Sequence, residues 1–457
     1  MQEVSTLLEK AQALAESHSF AELKQLLKDL PPQDVASLLE TVDREPAAAM
    51  FRLLPKDLAA ETLLELGPDQ QAALIGAFSD RELAPLLDEM FLDDMADLVE
   101  EMPAGIVKKI LKNTDPDVRK TVNDLLKFPK DSAGSLMTPE FVDFRKNFTV
   151  KDCFDRIRAT GPDKETVYTC YVIDEARRLA GVVSVKDLLL SSYETPVEKV
   201  METNVITVRT TDDKEEIAHT FSRYGFLALP VIDGENRLVG IVTVDDAMDV
   251  LQEENTEDFE KMAAIQPSEK GYFDVGVFTH AKNRILWLLV LMVSATLTGN
   301  ILTHYENAFA ALPVLVAMIP MLMDTGGNCG SQASTMVIRG LALGDMKPRD
   351  FFRVWFKEIR IAMVVGAALA VINFGRVLLF YGSNGQVQPV LLGLITSVTL
   401  FVVVLVAKSL GTALPMLANK VGLDPAIMAA PLITTLVDAC SVLLYFTIAC
   451  AVLDLHL

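Results

Sequence analysis

The sequence lacks the usual signatures of catalysis. It has no P-loop, no Gly-x-Ser-x-Gly elbow and no His-Glu-x-x-His, which argues against an enzyme of those classes. Histidine is scarce, and His18, His219, His280, His304 and His456 are scattered. The five cysteines (Cys153, Cys170, Cys329, Cys440, Cys450) show neither CxxC nor CxH spacing, so neither a zinc site nor a disulfide framework is indicated. Basic residues are outnumbered 41 to 62, leaving a formal net charge of −21. That excess speaks against nucleic acid as a partner and for cations. The opening "MQEVSTLLEKAQALAESHSF" is polar and amphipathic rather than a signal peptide, so the N-terminal half is expected to stay in the cytoplasm.

The averages hide a division. Up to about Lys282 the chain reads as soluble and acidic, and after Arg284 it is nearly all Leu, Val, Ala, Ile and Met. A hydrocarbon core needs about 20 apolar residues to cross. Five segments suffice: 285–303, 309–338, 361–381, 390–417 and 426–453. Arg339, Lys347, Arg349, Arg353, Lys357 and Arg360 crowd between the second and third, whereas "YGSNGQVQP" between the third and fourth is uncharged. By the positive-inside rule the N-terminus is cytoplasmic, five crossings follow, and the C-terminus is outside.

Polar residues inside such spans are costly and usually face a bundle interior or a water-filled path. Asp438 lies mid-span in "PLITTLVDACSVLLYF" with no basic residue between Lys420 and His456, so its expected partner is a mobile cation. Lys408 and Arg376 have long stems that can snorkel, and no role is assigned to them. The stretch "DTGGNCGSQASTM" (324–336) interrupts the second span, whose length exceeds one crossing. Its glycines predict a bend or an unwound backbone, where freed carbonyls with Asn328, Ser331, Gln332 and Thr335 would offer oxygen ligands to a hard cation. Close packing of helices through small residues is the competing reading. A similar polar break is expected at Pro431–Thr435, one to two turns before Asp438.

In the soluble half, "CYVIDEARRLAGVVSVKDLL" repeats as "LPVIDGENRLVGIVTVDDAM", with Asp174 and Asp233, Gly181 and Gly240, and Asp187 and Asp246 each 59 apart. "LMTP" and "VMET" open the two copies. Each copy reads as strand, turn, β-branched strand and helix, and the pair resembles a tandem CBS domain. In some members of that family a Ser/Thr-x-x-Asp pattern holds an adenosine ribose. Here it is Ser184 with Asp187 and Thr243 with Asp246, residues that could equally cap a helix. Residues 20–128 contain short helical pieces opened by Pro or Asp. Pro32 and Pro55, Asp80 and Pro103, and Asp93 and Pro116 are each 23 apart, which predicts stacked helix pairs.

Two acidic runs stand out. Asp88, Glu89, Asp93, Asp94, Asp97, Glu100 and Glu101 lie between Arg81 and Lys108 with no basic residue among them. Asp245, Asp246, Asp249, Glu253, Glu254, Glu257, Asp258 and Glu260 do the same between Arg237 and Lys261. Either alone reads as a solvated helix face. Brought together, they would repel unless a divalent cation lay between them.

The full order resembles the MgtE family of magnesium channels or transporters. The resemblance is most specific at "GGNCGSQ" (326–332) running into "IRGLALG", and at "DPAIMAAPLITTLVD" (424–438). It implies a multidomain fold: an acidic α-helical solenoid (1–130), a tandem CBS α/β domain (131–256), a connecting or plug helix (257–282) and a five-helix transmembrane domain (283–457). It implies a homodimer in the plasma (inner) membrane, with Asp438 of both subunits holding hydrated Mg2+ and Asn328, Gln332, Thr335 and Thr434 shaping the path. Regulatory Mg2+ would bind among Asp88, Asp93, Asp94, Asp97, Glu215, Glu216, Asp245, Asp246, Asp249, Glu253, Glu254, Glu257 and Asp258 and close the gate. ATP is a further candidate ligand of the CBS pair. Ala430 stands where some relatives have Asn, which leaves more of the selectivity to Asp438 and Asn328. An ion-coupled transporter of magnesium or cobalt and a membrane-tethered nucleotide sensor are the alternatives.

Overall fold

The computed structural model describes residues 14, 19–268, 271–273, 275–305, 312–381, 387–428 and 430–453, without the side chains of Arg44 and Glu45. The opening segment, the second half of "HYEN" and most of the link after Tyr381 lie outside the described residues. The chain divides into two compact units, 1–251 and 252–457.

The first unit begins with nine described short helices, from Phe20–Lys28 to Pro116–Leu125. Pro32, Pro68 and Pro116 stand in the first helical turn, where a missing N–H costs nothing, and Pro31, Pro55 and Pro103 precede one. Helices pack on the next but one along the chain, as Pro32–Glu40 does on Lys56–Leu64 and Asp80–Leu87 on Ala104–Asn113. That is the superhelix predicted from the spacing of 23.

Two three-stranded sheets follow, β1 (Phe141–Arg145), β2 (Thr166–Ile173) and β3 (Leu179–Ser184), then β4 (Val208–Arg209), β5 (Ala228–Ile232) and β6 (Leu238–Thr243). In each, the first strand runs parallel to the second and the third antiparallel. The segments opening the two copies cross over: Thr138 bridges Ile241 of the second module, and Glu202 bridges Val182 of the first. A Cβ on Gly240 would lie 2.8 Å from Met137 Sδ, and one on Gly181 would lie 2.8 Å from Met201 Sδ. The repeated glycine therefore makes room for the methionine of the other copy. One apolar core joins solenoid residues such as Leu98 and Val122 to Met137, Val231 and Ala247 of the second module.

Val244–Met262 is one continuous helix. Ala264 then takes φ +55°, and Pro267 follows in a non-helical stretch. The connecting helix expected over 257–282 is thus the end of the last CBS helix, and a new helix begins at Val277. A left-handed residue and a proline stop the first helix before the second starts.

Four described helices are long and apolar enough to cross a membrane: Val277–His304, Pro348–Tyr381, Pro389–Lys420 and Ala430–Leu453. A fifth long helix, Ile319–Ala342, packs against the last two. It corrects an expectation. Gly326 to Gly330 are helical, with no break or unwound backbone, and the irregular backbone is displaced to the 3-10 turns Pro313–Met318 and Pro425–Ile427. Thr434 and Thr435 likewise lie inside the helix Ala430–Leu453, bonded to the Pro431 carbonyl.

The physical reason is packing. Added Cβ atoms would meet Val403 at 2.7 Å from Gly326 and Ile433 at 2.9 Å from Gly330, and one on Gly411 would lie 2.2 Å from the Gly330 carbonyl oxygen. Keeping every backbone bond inside the helix is also what an apolar solvent demands.

Lys408 corrects a second expectation. It is 5 % exposed, too buried to snorkel, and its Nζ lies 3.4 Å from Glu358 Oε2.

Gly411→Ala is expected to destabilise by about 1–3 kcal/mol, the usual cost of overpacking, whereas Gly375→Ala, which enters open space, leaves stability unchanged or slightly raised. Thermal unfolding of the detergent-purified protein measures this; equal midpoints for the two variants would refute the helix contact.

Candidate functional site

The helix Leu92–Glu101 opens with Asp93 and Asp94, and its Leu92 N–H donates to Glu140 Oε2 at 2.8 Å from the first CBS module. Anionic groups suit the positive end of a helix, but here they converge with others. Asp93 is 8 % exposed, and its buried Oδ1 has no partner. Burial and then Asp94 push its carboxyl up to about 7. Burial, followed by Asp246, Asp245 and Glu140, raises Asp94 to about 6. Asp97 is raised by burial, Asp93 and Asp246.

On the facing side, Asp246 opens the helix Val244–Met262. Its carboxylate accepts from Thr243 Oγ1 at 2.5 Å, yet burial and the charges of Asp93 and Asp245 carry it up to about 7. Two members were missed from sequence. Glu140 is raised by burial against its bond from Leu92, and Glu165, with a buried unpartnered Oε2, reaches about 8 through burial and the fields of Asp93, Asp94, Asp246 and Asp245. Neither stands in an acidic run, so charge patterning could not find them. Among the described residues, Lys164 acts on Glu140, but no ion pair neutralises Asp93, Asp94, Asp97, Asp245, Asp246 or Glu165.

Oxygen donors, two orphaned buried oxygens and mutual repulsion fit a hard divalent cation. Among the described residues no three His, Cys, Asp or Glu side chains are placed to hold a metal ion directly.

Other predicted positions lie apart. Asp88 is exposed past the end of Asp80–Leu87. Glu215 and Glu216 occupy the first turn of Lys214–Tyr224, with Glu215 3.5 Å from His219. Asp249, Glu253, Glu254, Glu257 and Asp258 continue along Val244–Met262, where Glu257 pairs with Lys261. Lys261 also holds Asp424 at 2.6 Å. Ser184 Oγ donates to Asp187 at 2.5 Å and accepts from its N–H, capping the helix Val185–Leu190, while in the second pattern Thr243 donates to Asp246, which is also part of the acidic cluster.

In the second unit, Asp324, Asn328, Gln332 and Thr335 are all exposed on Ile319–Ala342 at helical spacing. Half-buried Asp438 lies within the electrostatic reach of Asp324, another residue with no role assigned from sequence. Its i, i+4 spacing from Asn328 was the available signal. Thr434 packs on Gly327 and gives its hydroxyl hydrogen to Pro431. By contrast, Asn373 bonds Thr396 and Ser397 and accepts from Arg376.

Comparison with known proteins matches the described families in order. The MgtE intracellular N domain matches residues 9–131, CBS domains match 133–194 and 197–253, and the MgtE divalent cation transporter domain matches 319–448. The magnesium transporter MgtE of Thermus thermophilus is 37 % identical over 97 % of both chains. That of Bacillus subtilis is 33 % identical over 94 % of both. A crystal structure of the cytosolic domain of the Mg2+ channel MgtE in complex with ATP is similar at 38 % identity and TM-score 0.51, covering 53 % of this chain and 99 % of that one.

Asp93→Asn is expected to raise the thermal midpoint in chelated buffer, with a pH signature. A carboxyl raised to about 7 in the fold loses stability as pH climbs from the unfolded value near 4 to about 7. The gain should therefore be full at pH 8 and shrink towards pH 4. Calorimetry of the full-length protein showing a pH-independent difference would remove Asp93 from the strained cluster.

Proposed function

Because this chain belongs to the MgtE family of divalent cation transporters, a family of transporters rather than enzymes, we propose that it passes Mg2+ into the cytoplasm through a homodimeric channel that cytoplasmic Mg2+ closes. The observation that carries the gate is the convergence of Asp93, Asp94, Asp97, Asp245, Asp246 and Glu165, none of them in an ion pair among the described residues, with Glu140, on which Lys164 acts, beside them. A regulatory ion there supplies positive charge that turns their repulsion into cohesion. Asp245 and Asp246 open the helix Val244–Met262, and Lys261 in its last turn holds Asp424 beside the last membrane helix. One helix thus carries both ends of the proposed linkage.

The transported ion follows the polar face. Asp324, Asn328, Gln332 and Thr335 cannot turn to acyl chains without a large penalty, so a second copy faces them and Asp438 lines the path. Lys408 pairs with Glu358 and Arg376 bonds Asn373, whereas Asp438 and Asp324 have no ion pair among the described residues. The Lys261–Asp424 contact supports the topology: a chain returns to one side after an even number of crossings, four here if Ile319–Ala342 is one of them. Ala430–Leu453 is then the fifth, and we propose that the N-terminal unit lies in the cytoplasm at the plasma membrane, with the C-terminus outside. ATP, present in the similar cytosolic domain, is proposed to bind the CBS pair with Ser184 and Asp187, since Asp246 is committed to the acidic cluster.

Asp438→Ala should abolish Mg2+ uptake into vesicles while folding and dimerisation persist; near-normal flux excludes Asp438 from the path. Neutralising Asp94, Asp245, Asp246 and Asp249 together should keep flux high when Mg2+ on the cytoplasmic side is plentiful. Unchanged inhibition excludes the gate, and a sodium or proton requirement would instead mark coupled transport.

A further inference from the structure

The helix Phe351–Tyr381 starts before its apolar stretch, and its first turns are two-sided. At about 100° per residue, Phe352, Phe356, Arg360, Arg353 and Lys357 fall in that order within an arc of about 140°. All five are exposed, the phenylalanines at 76 % and 61 %, and the Arg360 guanidinium lies 5.9 Å from the Phe356 ring centre. Glu358 points out of that arc and spends its charge on Lys408. Asp350, just before the helix, accepts from the Lys347 backbone N–H. Among the described residues, Arg353, Lys357 and Arg360 form no ion pair.

We propose that this arc is a binding surface for anionic phospholipid, with the phosphate held by Arg353, Lys357 and Arg360 and the glycerol and upper acyl chain covering Phe352 and Phe356. Charge complementarity selects the occupant. Basic side chains beside a membrane helix attract anionic headgroups, and guanidinium groups match phosphate oxygens. A free phosphate would leave two exposed rings in water, and the same arc of a second copy would meet it with like charge. The proposal rests on the membrane-spanning reading of this helix and is independent of which ion is carried.

The test uses the full-length protein in phosphatidylcholine vesicles with or without phosphatidylglycerol, followed by detergent extraction and mass analysis of the retained lipid. The wild type is expected to retain phosphatidylglycerol over phosphatidylcholine by roughly tenfold or more. The Arg353→Gln/Lys357→Gln/Arg360→Gln variant should lose that preference, and Phe352→Ala/Phe356→Ala should weaken retention with all charges kept. Should the triple variant fail to fold, Lys357→Gln alone should give a partial loss. Equal preference in wild type and charge variants overturns the proposal, as does full displacement of the lipid by inorganic phosphate. Mg2+ flux is read separately in phosphatidylcholine vesicles: lost flux with retained lipid preference counts against the transport reading alone.

Discussion

The soluble unit is organised around carboxylates pressed together by a core that has no use for their charge. Leu98 and Val122 on the solenoid side share an apolar cluster with Met137, Val231 and Ala247 of the second CBS module. Burying that surface brings Leu92–Glu101 against the opening of Val244–Met262, and the acids arrive as passengers. Apolar burial is non-directional and indifferent to pH, whereas repulsion among half-dehydrated carboxylates depends strongly on protons and ions. Two terms of opposite sign with different solution dependence are what a sensor requires. In the proposed reading the cation does not build the interface; it relieves a penalty the interface already carries.

The membrane unit treats charge in the opposite manner. Lys408 finds Glu358, and Asn373 gathers Thr396, Ser397 and Arg376, so buried polarity is largely consumed inside the fold. Against that background the exposed row from Asp324 to Thr335, with Asp438 nearby, is the exception. An apolar solvent tolerates such a row only where something polar covers it.

Much of this was legible in the residues. The spacing of 59 gave the paired sheets, the spacing of 23 gave the stacked helices, and apolar length located the long apolar helices, though three of them begin eight to ten residues from the predicted start. Local signals of that kind report local periodicity. Glu140 and Glu165 were invisible because their neighbours along the chain are ordinary, and tertiary folding alone carries them to Asp93 and Asp94. Lys408 was misjudged for the same reason, since its partner is 50 residues away. Gly326, Gly327 and Gly330 were ambiguous in principle: glycine loosens a helix and also lets another approach, and the neighbours Val403, Ile433 and Gly411 decide for approach.

The backbone contact between Gly330 and Gly411 limits how the membrane unit can rearrange. A sliding displacement of either helix along its axis would drive the side chains flanking one glycine, such as Ala333 or Thr412, into the main chain of the other. Tilting about the touching point meets no such obstacle. The pair is therefore a fulcrum, and a small swing at one end becomes a larger, opposite swing at the other.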